Sequence, residues 1–124
     1  MTDYRLSLGT RDAILVVTLE GEVDFTNVSA IEARILDASS NDLIAIAVDL
    51  SKTSYLDSAG VRLLFDLARH TDACRQRLGI VVPDDAPLRR LVTVTNLALV
   101  AAVSATEADC LKDLRDDVAG FANG

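Results

Sequence analysis

The chain has 124 residues, 50% apolar and 25% charged, which fits a single domain over residues 1–124 burying about two-thirds of its unfolded surface. Twelve Lys and Arg against nineteen Asp and Glu leave a net charge of −7, so the basic field that draws nucleic acid or an anionic bilayer is missing. The longest apolar runs, Leu43 to Val48 and Leu97 to Val103, fall far short of the roughly 18 residues that span a bilayer, and the start lacks a signal peptide's basic and apolar regions. A cytoplasmic protein without nucleic-acid or membrane partners is expected.

Ala13 to Leu19 is a continuous apolar run that predicts a strand stopped by Gly21, and a weaker strand, Tyr4 to Leu8, precedes it across a Gly-Thr-Arg-Asp turn as a hairpin partner. Val28, Ile31, Ile35 and Ala38 then step by three and four, which predicts a helix from Asn27 to Ser39 capped by Thr26 or Asn27. Leu43 to Leu50 is apolar at nearly every position, as suits a parallel strand covered on both faces at the sheet centre. A second helix begins near Asp57, carries Val61, Leu64, Phe65 and Ala68 on one stripe, and ends before a turn from Thr71 to Arg77. Leu78 to Val82 is the next strand. Asp84 or Asp85 can cap a short helix with Leu88, Leu91 and Val92 inward and Pro87 in its first turn. Leu97 to Val103 predicts a last strand, and Thr106 caps a closing helix with Ala108, Leu111, Leu114 and Val118 inward. A frayed tail is expected over 119–124.

Strands alternating with helices require crossover connections, which are right-handed in nearly all cases. The expected class is α/β: a mixed sheet of about five strands with a mostly parallel core, flanked by about four helices. The carboxyl ends of its parallel strands form one rim where partners dock. Three loops are expected to share that rim, Gly21 to Thr26, Ser51 to Asp57 and Pro83 to Pro87.

Cys74 and Cys110 stand 36 positions apart with no CxxC motif, which gives two free thiols and no zinc site. The single histidine, His70, rules out two-histidine metal sites and suits the carbonyl end of its helix. Nucleophile-elbow, phosphate-loop, dinucleotide and zinc-protease motifs are all missing. No catalytic residue, metal or cofactor is therefore assigned. A phosphoaspartate receiver built on Asp49 would need a lysine after the last parallel strand, and the only lysines are Lys52 and Lys112. A hydrolase pairing Ser58 with His70 would span twelve helical residues, roughly 18 Å along the axis.

The informative stretch is Leu56-Asp57-Ser58-Ala59-Gly60-Val61-Arg62. With Asp57 as N-cap, Ser58 is the first helical residue and its hydroxyl sits among unpaired backbone N–H groups. A phosphoryl group there would add about −1.5 to −2 charge at the positive end of the dipole without undoing the helix. Arg62, one turn on, would partly neutralise it, Asp24 and Asp57 would oppose it, and Gly60 would leave room for a partner's close approach. The same residues also make an ordinary helix start, with the serine as structure alone.

Gly21-Glu22-Val23-Asp24 followed by Thr26, and Leu56-Asp57-Ser58-Ala59-Gly60-Val61, resemble in order and spacing the STAS domain of bacterial anti-anti-sigma factors, also called anti-sigma factor antagonists. The resemblance covers essentially the whole chain. It implies that Ser58 is phosphorylated by a partner that is both anti-sigma factor and serine kinase, and that a serine phosphatase reverses the step. It further implies a partner-binding surface of Asp24, Thr26, Asp57, Ser58, Ala59, Gly60 and Arg62. The unmodified protein would bind the anti-sigma factor and release the sigma factor. Ala59 departs from relatives that carry a second hydroxyl there. The resemblance also implies an alternative reading, a scaffold subunit of a stress-signalling or lipid-transport complex without a Ser58 switch.

Overall fold

The computed structural model describes residues 3–122, with side chains to residue 116. Along the chain come β1 (Tyr4–Arg11), β2 (Ile14–Val23), α1 (Val28–Ala38), β3 (Ala45–Leu56), α2 (Ser58–Ala73), β4 (Arg77–Val81), α3 (Leu88–Val94), β5 (Ala102–Ser104) and α4 (Glu107–Ala122). The strands form one sheet in the order β1-β2-β3-β4-β5, antiparallel between β1 and β2 and parallel at every later pair. This is the mixed five-stranded α/β architecture that the apolar periodicity predicts, with β3 in the middle.

Alternation along the strands divides the core in two. Leu15, Val17, Leu19, Ile46, Val48, Leu50, Leu78 and Ile80 face Ile31 and Ile35 of α1, Leu63, Leu64 and Leu67 of α2, and Leu88 and Val92 of α3. On the other face Ile14, Val16, Ala45, Ala47 and Val81 meet Cys110, Leu111 and Leu114 of α4 alone. Small residues let α4 sit close: a Cβ on Gly79 would fall 2.5 Å from Cys110 Sγ and 2.9 Å from Leu114 Cδ1. Ala108, expected inward, is exposed, because Cys110 takes the place under the helix. Val118 and the expected frayed end over 119–124 lie outside the residues whose side chains are described.

Several boundaries move for identifiable reasons. The hairpin turns at Asp12 and Ala13, both at positive φ (54° and 64°), so β1 and β2 pair as far as Arg11 and Ile14. Gly21 does not stop β2. Its φ of +89° lets the strand bulge and continue, while the Asp3 carbonyl oxygen occupies the space, 2.3 Å away, where a side chain would begin. Most consequential is β3, which does not become a loop at Ser51. It stays paired with β2 through Thr53 opposite Gly21 and Leu56 opposite Val23, and Thr53 Oγ1 donates to the Leu19 carbonyl at 2.8 Å across the bulge.

Other corrections are smaller. Pro87 precedes α3 without a side-chain cap, and Asp84, expected to cap it, is held by Arg89 at 2.9 Å instead. The predicted strand from Leu97 to Val103 splits into one 3₁₀ turn, Leu97–Leu99, and the three residues of β5. At the start of α4, Thr106 Oγ1 accepts from Asp109 N at 3.1 Å, the expected cap.

Both cysteines are free, and burial separates them. Desolvation beneath α4 pushes the Cys110 thiol up to about 11, with Asp113, Asp49 and Glu107 adding repulsion, whereas Cys74 is half-exposed at the end of α2. Iodoacetamide at pH 8 is therefore expected to alkylate Cys74 and leave Cys110 intact until the chain is unfolded in urea. Peptide mass mapping checks this, and equal labelling of the two in the folded protein would contradict the packing. Because the unfolded thiol ionises first, this residue's contribution to stability is complete below about pH 9 and is lost as pH rises toward 11.

Candidate functional site

The corner where β3 passes into α2 is fastened by one side chain. Asp57 caps α2, its Oδ1 accepting from Gly60 N at 3.0 Å. Its other oxygen, Oδ2, accepts from Phe25 N at 3.0 Å, and its own N–H donates to the Val23 carbonyl at 3.2 Å. A single carboxylate thus starts the helix and ties the β2–α1 loop against it. Ser58 follows as the first residue of α2, exposed to solvent. The cap is complete without its hydroxyl, so the oxygen stands at the positive end of a 16-residue helix with no structural duty.

The neighbouring loop is held from within. Asp24 is only 9% exposed, and its Oδ1 accepts from both the backbone N–H (2.9 Å) and the hydroxyl of Thr26, an Asx turn. Asn27 reaches back across the turn, accepting from Asp24 N at 3.0 Å and donating to the Glu22 carbonyl at 2.9 Å. Asn27 therefore precedes α1 without capping it through its side chain. Asp24 Oδ1 and the Thr26 N–H and hydroxyl brace the loop from within, and Phe25 at its tip is 77% exposed.

Beside Ser58, a shallow groove of about 150 Å³ runs between the two helices, lined by Ser29 and Glu32 of α1 and by Ala59, Arg62 and Asp66 of α2. Arg62 is exposed and lies 3.9 Å from Asp66, so its charge is shared within the groove. Gly60 belongs to the interior. A Cβ there would meet Leu56 Cδ2 at 2.9 Å and the Val23 carbonyl oxygen at 3.2 Å. The expectation that Gly60 leaves room for a partner is thus corrected: it leaves room for Leu56 of β3 and the Val23 carbonyl of β2, letting α2 seat against both strands.

Of the seven residues singled out from the sequence, the structure gathers Asp24, Thr26, Asp57, Ser58, Ala59 and Arg62 at this corner and places Gly60 beneath it. The Gly21–Thr26 and Ser51–Asp57 segments meet through Asp57, the latter as strand rather than loop, while Pro83–Pro87 follows the shorter β4, which ends opposite Asp49. Sequence reading missed Phe25, Tyr55 and the α1 residues Ser29 and Glu32, and gave Asn27 only as a helix cap. An aromatic between two turn-forming residues was the available signal for Phe25. Tyr55 needed knowledge that β3 runs on past its neighbour, which leaves this side chain exposed.

His70 lies twelve residues along α2 from Ser58, near 3.9 Å contact with Cys74 Sγ, and so outside reach of the hydroxyl. Among the described residues no group of three or more His, Cys, Asp or Glu is placed to hold a metal ion, and no helix is long and apolar enough to cross a membrane.

No curated protein sequence matches the chain. Solved structures do. An anti-sigma factor antagonist from Mycobacterium paratuberculosis is 25% identical with a TM-score of 0.81, covering 91% of this chain and 95% of its own. The anti-sigma factor antagonist SpoIIAA in its unphosphorylated form is 27% identical, TM-score 0.68, over 91% of this chain and 98% of its own. The phosphorylated form of the Bacillus cell fate determinant SpoIIAA is 25% identical, TM-score 0.63, over 90% and 98%. The STAS domain family matches residues 5–110, and with that span added to the shared sheet order the chain belongs to the STAS domain family.

Proposed function

We propose that this STAS domain is an anti-sigma factor antagonist switched by phosphorylation of Ser58. The observation that carries the reading is an exposed serine hydroxyl at the start of α2 whose helix cap is completed by Asp57. The surface around it, with Phe25, Asp57, Ala59 and Arg62, binds an anti-sigma factor that is also a serine kinase, in the cytoplasm. Unmodified protein occupies that partner and frees the sigma factor.

In the transfer step Ser58 Oγ bonds to the γ-phosphorus of ATP as ADP leaves, and the hydroxyl proton passes to a base of the kinase. The phosphate adds about −1.5 to −2 charge next to the Asp57 carboxylate, on a surface shaped for a neutral group. Binding weakens while the fold stands, and a serine phosphatase restores the first state by hydrolysis. Similarity to SpoIIAA, solved in unphosphorylated and phosphorylated forms, supports this reading.

The test is intact mass measurement after incubation with ATP and each anti-sigma kinase encoded alongside the protein. One added phosphate is expected, located at Ser58 by fragmentation and abolished in Ser58→Ala. A phosphate on another residue, or none with any kinase, would overturn the assignment.

A further inference from the structure

β1 is the outer strand of the sheet, paired with β2 on one side, and among the described residues no strand pairs along its other side. Its eight residues contain no proline, and its register against β2 runs without a shift from Tyr4 to Arg11. Neither of the backbone devices that usually blunt a sheet edge is therefore present. The hairpin sets the phase of the open edge. Its two-residue turn, Asp12-Ala13, makes Arg11 and Ile14 a hydrogen-bonded pair, and Glu22 N donates to the Asp3 carbonyl at 3.0 Å in the same phase at the other end. Alternation then points the N–H and C=O groups of Tyr4, Leu6, Leu8 and Thr10 away from β2.

We propose that this edge pairs antiparallel with the β1 of a second copy of the chain, across a twofold axis at Ser7, so that two sheets join into one. In that register Tyr4 faces Thr10 of the other copy and Leu6 faces Leu8, and every outward-pointing residue of both strands exchanges backbone bonds. The side chains agree with it. Leu6 and Leu8 lie on the face that carries the larger core and meet the same leucines of the second copy. On the opposite face Arg5 lies across Gly9, where a Cβ would meet nothing within 4 Å, and Asp3, exposed, lies across Arg11. The Arg11 side chain holds Glu107 at 3.0 Å yet is 66% exposed, and its five-donor guanidinium can take a second carboxylate.

Neighbouring registers fit worse. An axis at Leu8 sets Arg5 against Arg11 of the other copy, and an axis at Leu6 moves Asp3 away from Arg11 to lie across Gly9. A slip by one residue would set core-facing side chains against outward ones. The second copy is thus selected by charge and by face together. This surface includes neither Asp57 nor Ser58, and the proposal does not rest on the phosphorylation reading.

Sedimentation equilibrium from about 1 μM to 1 mM, the range of small transient interfaces, is expected to show a reversible monomer–dimer equilibrium. Asp3→Arg, at an exposed position ahead of the strand, should weaken dimerisation at least fivefold with an unchanged urea midpoint. Single cysteines in a Cys74→Ser background, where the remaining Cys110 is buried, read the register. Under copper-phenanthroline oxidation Ser7→Cys should give a disulfide-linked dimer, because its counterpart's Cα stands about 4.5 Å away across the axis, within bridging range. Arg5→Cys and Gly9→Cys, which meet their counterparts only in other registers, should cross-link at least fivefold more slowly. A protein monomeric over the whole range, dimerisation indifferent to Asp3→Arg, or cross-linking no faster at position 7 than at 5 and 9 would each overturn the proposal.

Discussion

Ser58→Glu is expected to bind the cognate anti-sigma kinase about a hundredfold more weakly than the parent protein, while Ser58→Ala stays within about threefold. The hundredfold figure corresponds to about 2.7 kcal/mol. Two effects supply it: a carboxylate carried into an interface must lose water, and it stands directly after Asp57, whose own charge is fixed in place by Gly60 N and Phe25 N. Losing a hydroxyl that makes no structural bond costs little by comparison. Both variants should unfold at nearly the same urea concentration as the parent, because Ser58 is exposed and the helix cap belongs to its neighbour. Isothermal titration with the purified partner decides the matter: equal affinities for the Ala and Glu variants would remove the switch.

The order of strands and helices along the chain and the capping role of Asp57 were legible in the sequence, and the reasons are physical. A run such as Leu43 to Leu50, apolar at nearly every position, has few alternatives to a central strand, and an Asp placed just before an apolar helical stripe is a local N-cap signal read from the chain itself. The extension of β3 to Leu56 was not legible, since Ser51, Lys52, Ser54 and Tyr55 are exposed and owe their strand conformation to pairing with β2, a partner some 30 residues distant. Non-local hydrogen bonding overrode a polar sequence that reads as loop. Gly60 shows the reverse error. Its place in the motif was plain, but whether a missing side chain serves a partner or the interior depends on Leu56 and the Val23 carbonyl, which only the fold brings to it. Phe25 went unnoticed for a similar reason. Its exposure follows from the internal bonds of Asp24, Thr26 and Asn27, each of which looks like an ordinary turn residue in isolation.

Asp57→Ala is expected to lower the unfolding free energy by about 2 kcal/mol, roughly 1 from the lost N-cap and roughly 1 from the Phe25 N–H left without its acceptor. For an m-value of about 1–3 kcal/mol/M that shifts the urea midpoint down by about 1 M. Asp57→Asn separates the two losses. An amide keeps one acceptor oxygen, so it can serve Gly60 N as a cap but cannot also accept from Phe25 N, and about half of the destabilisation should remain. Amide hydrogen exchange distinguishes the sites: the Phe25 amide should exchange faster in both variants, the Gly60 amide only in Asp57→Ala. If Asp57→Asn leaves Phe25 as protected as in the parent, the carboxylate does not fasten the two segments. If it loosens Phe25 and also weakens partner binding while α2 stays capped, the loss traces to the Asp24–Thr26 loop, and Asp57 acts on recognition by holding that loop beside Ser58.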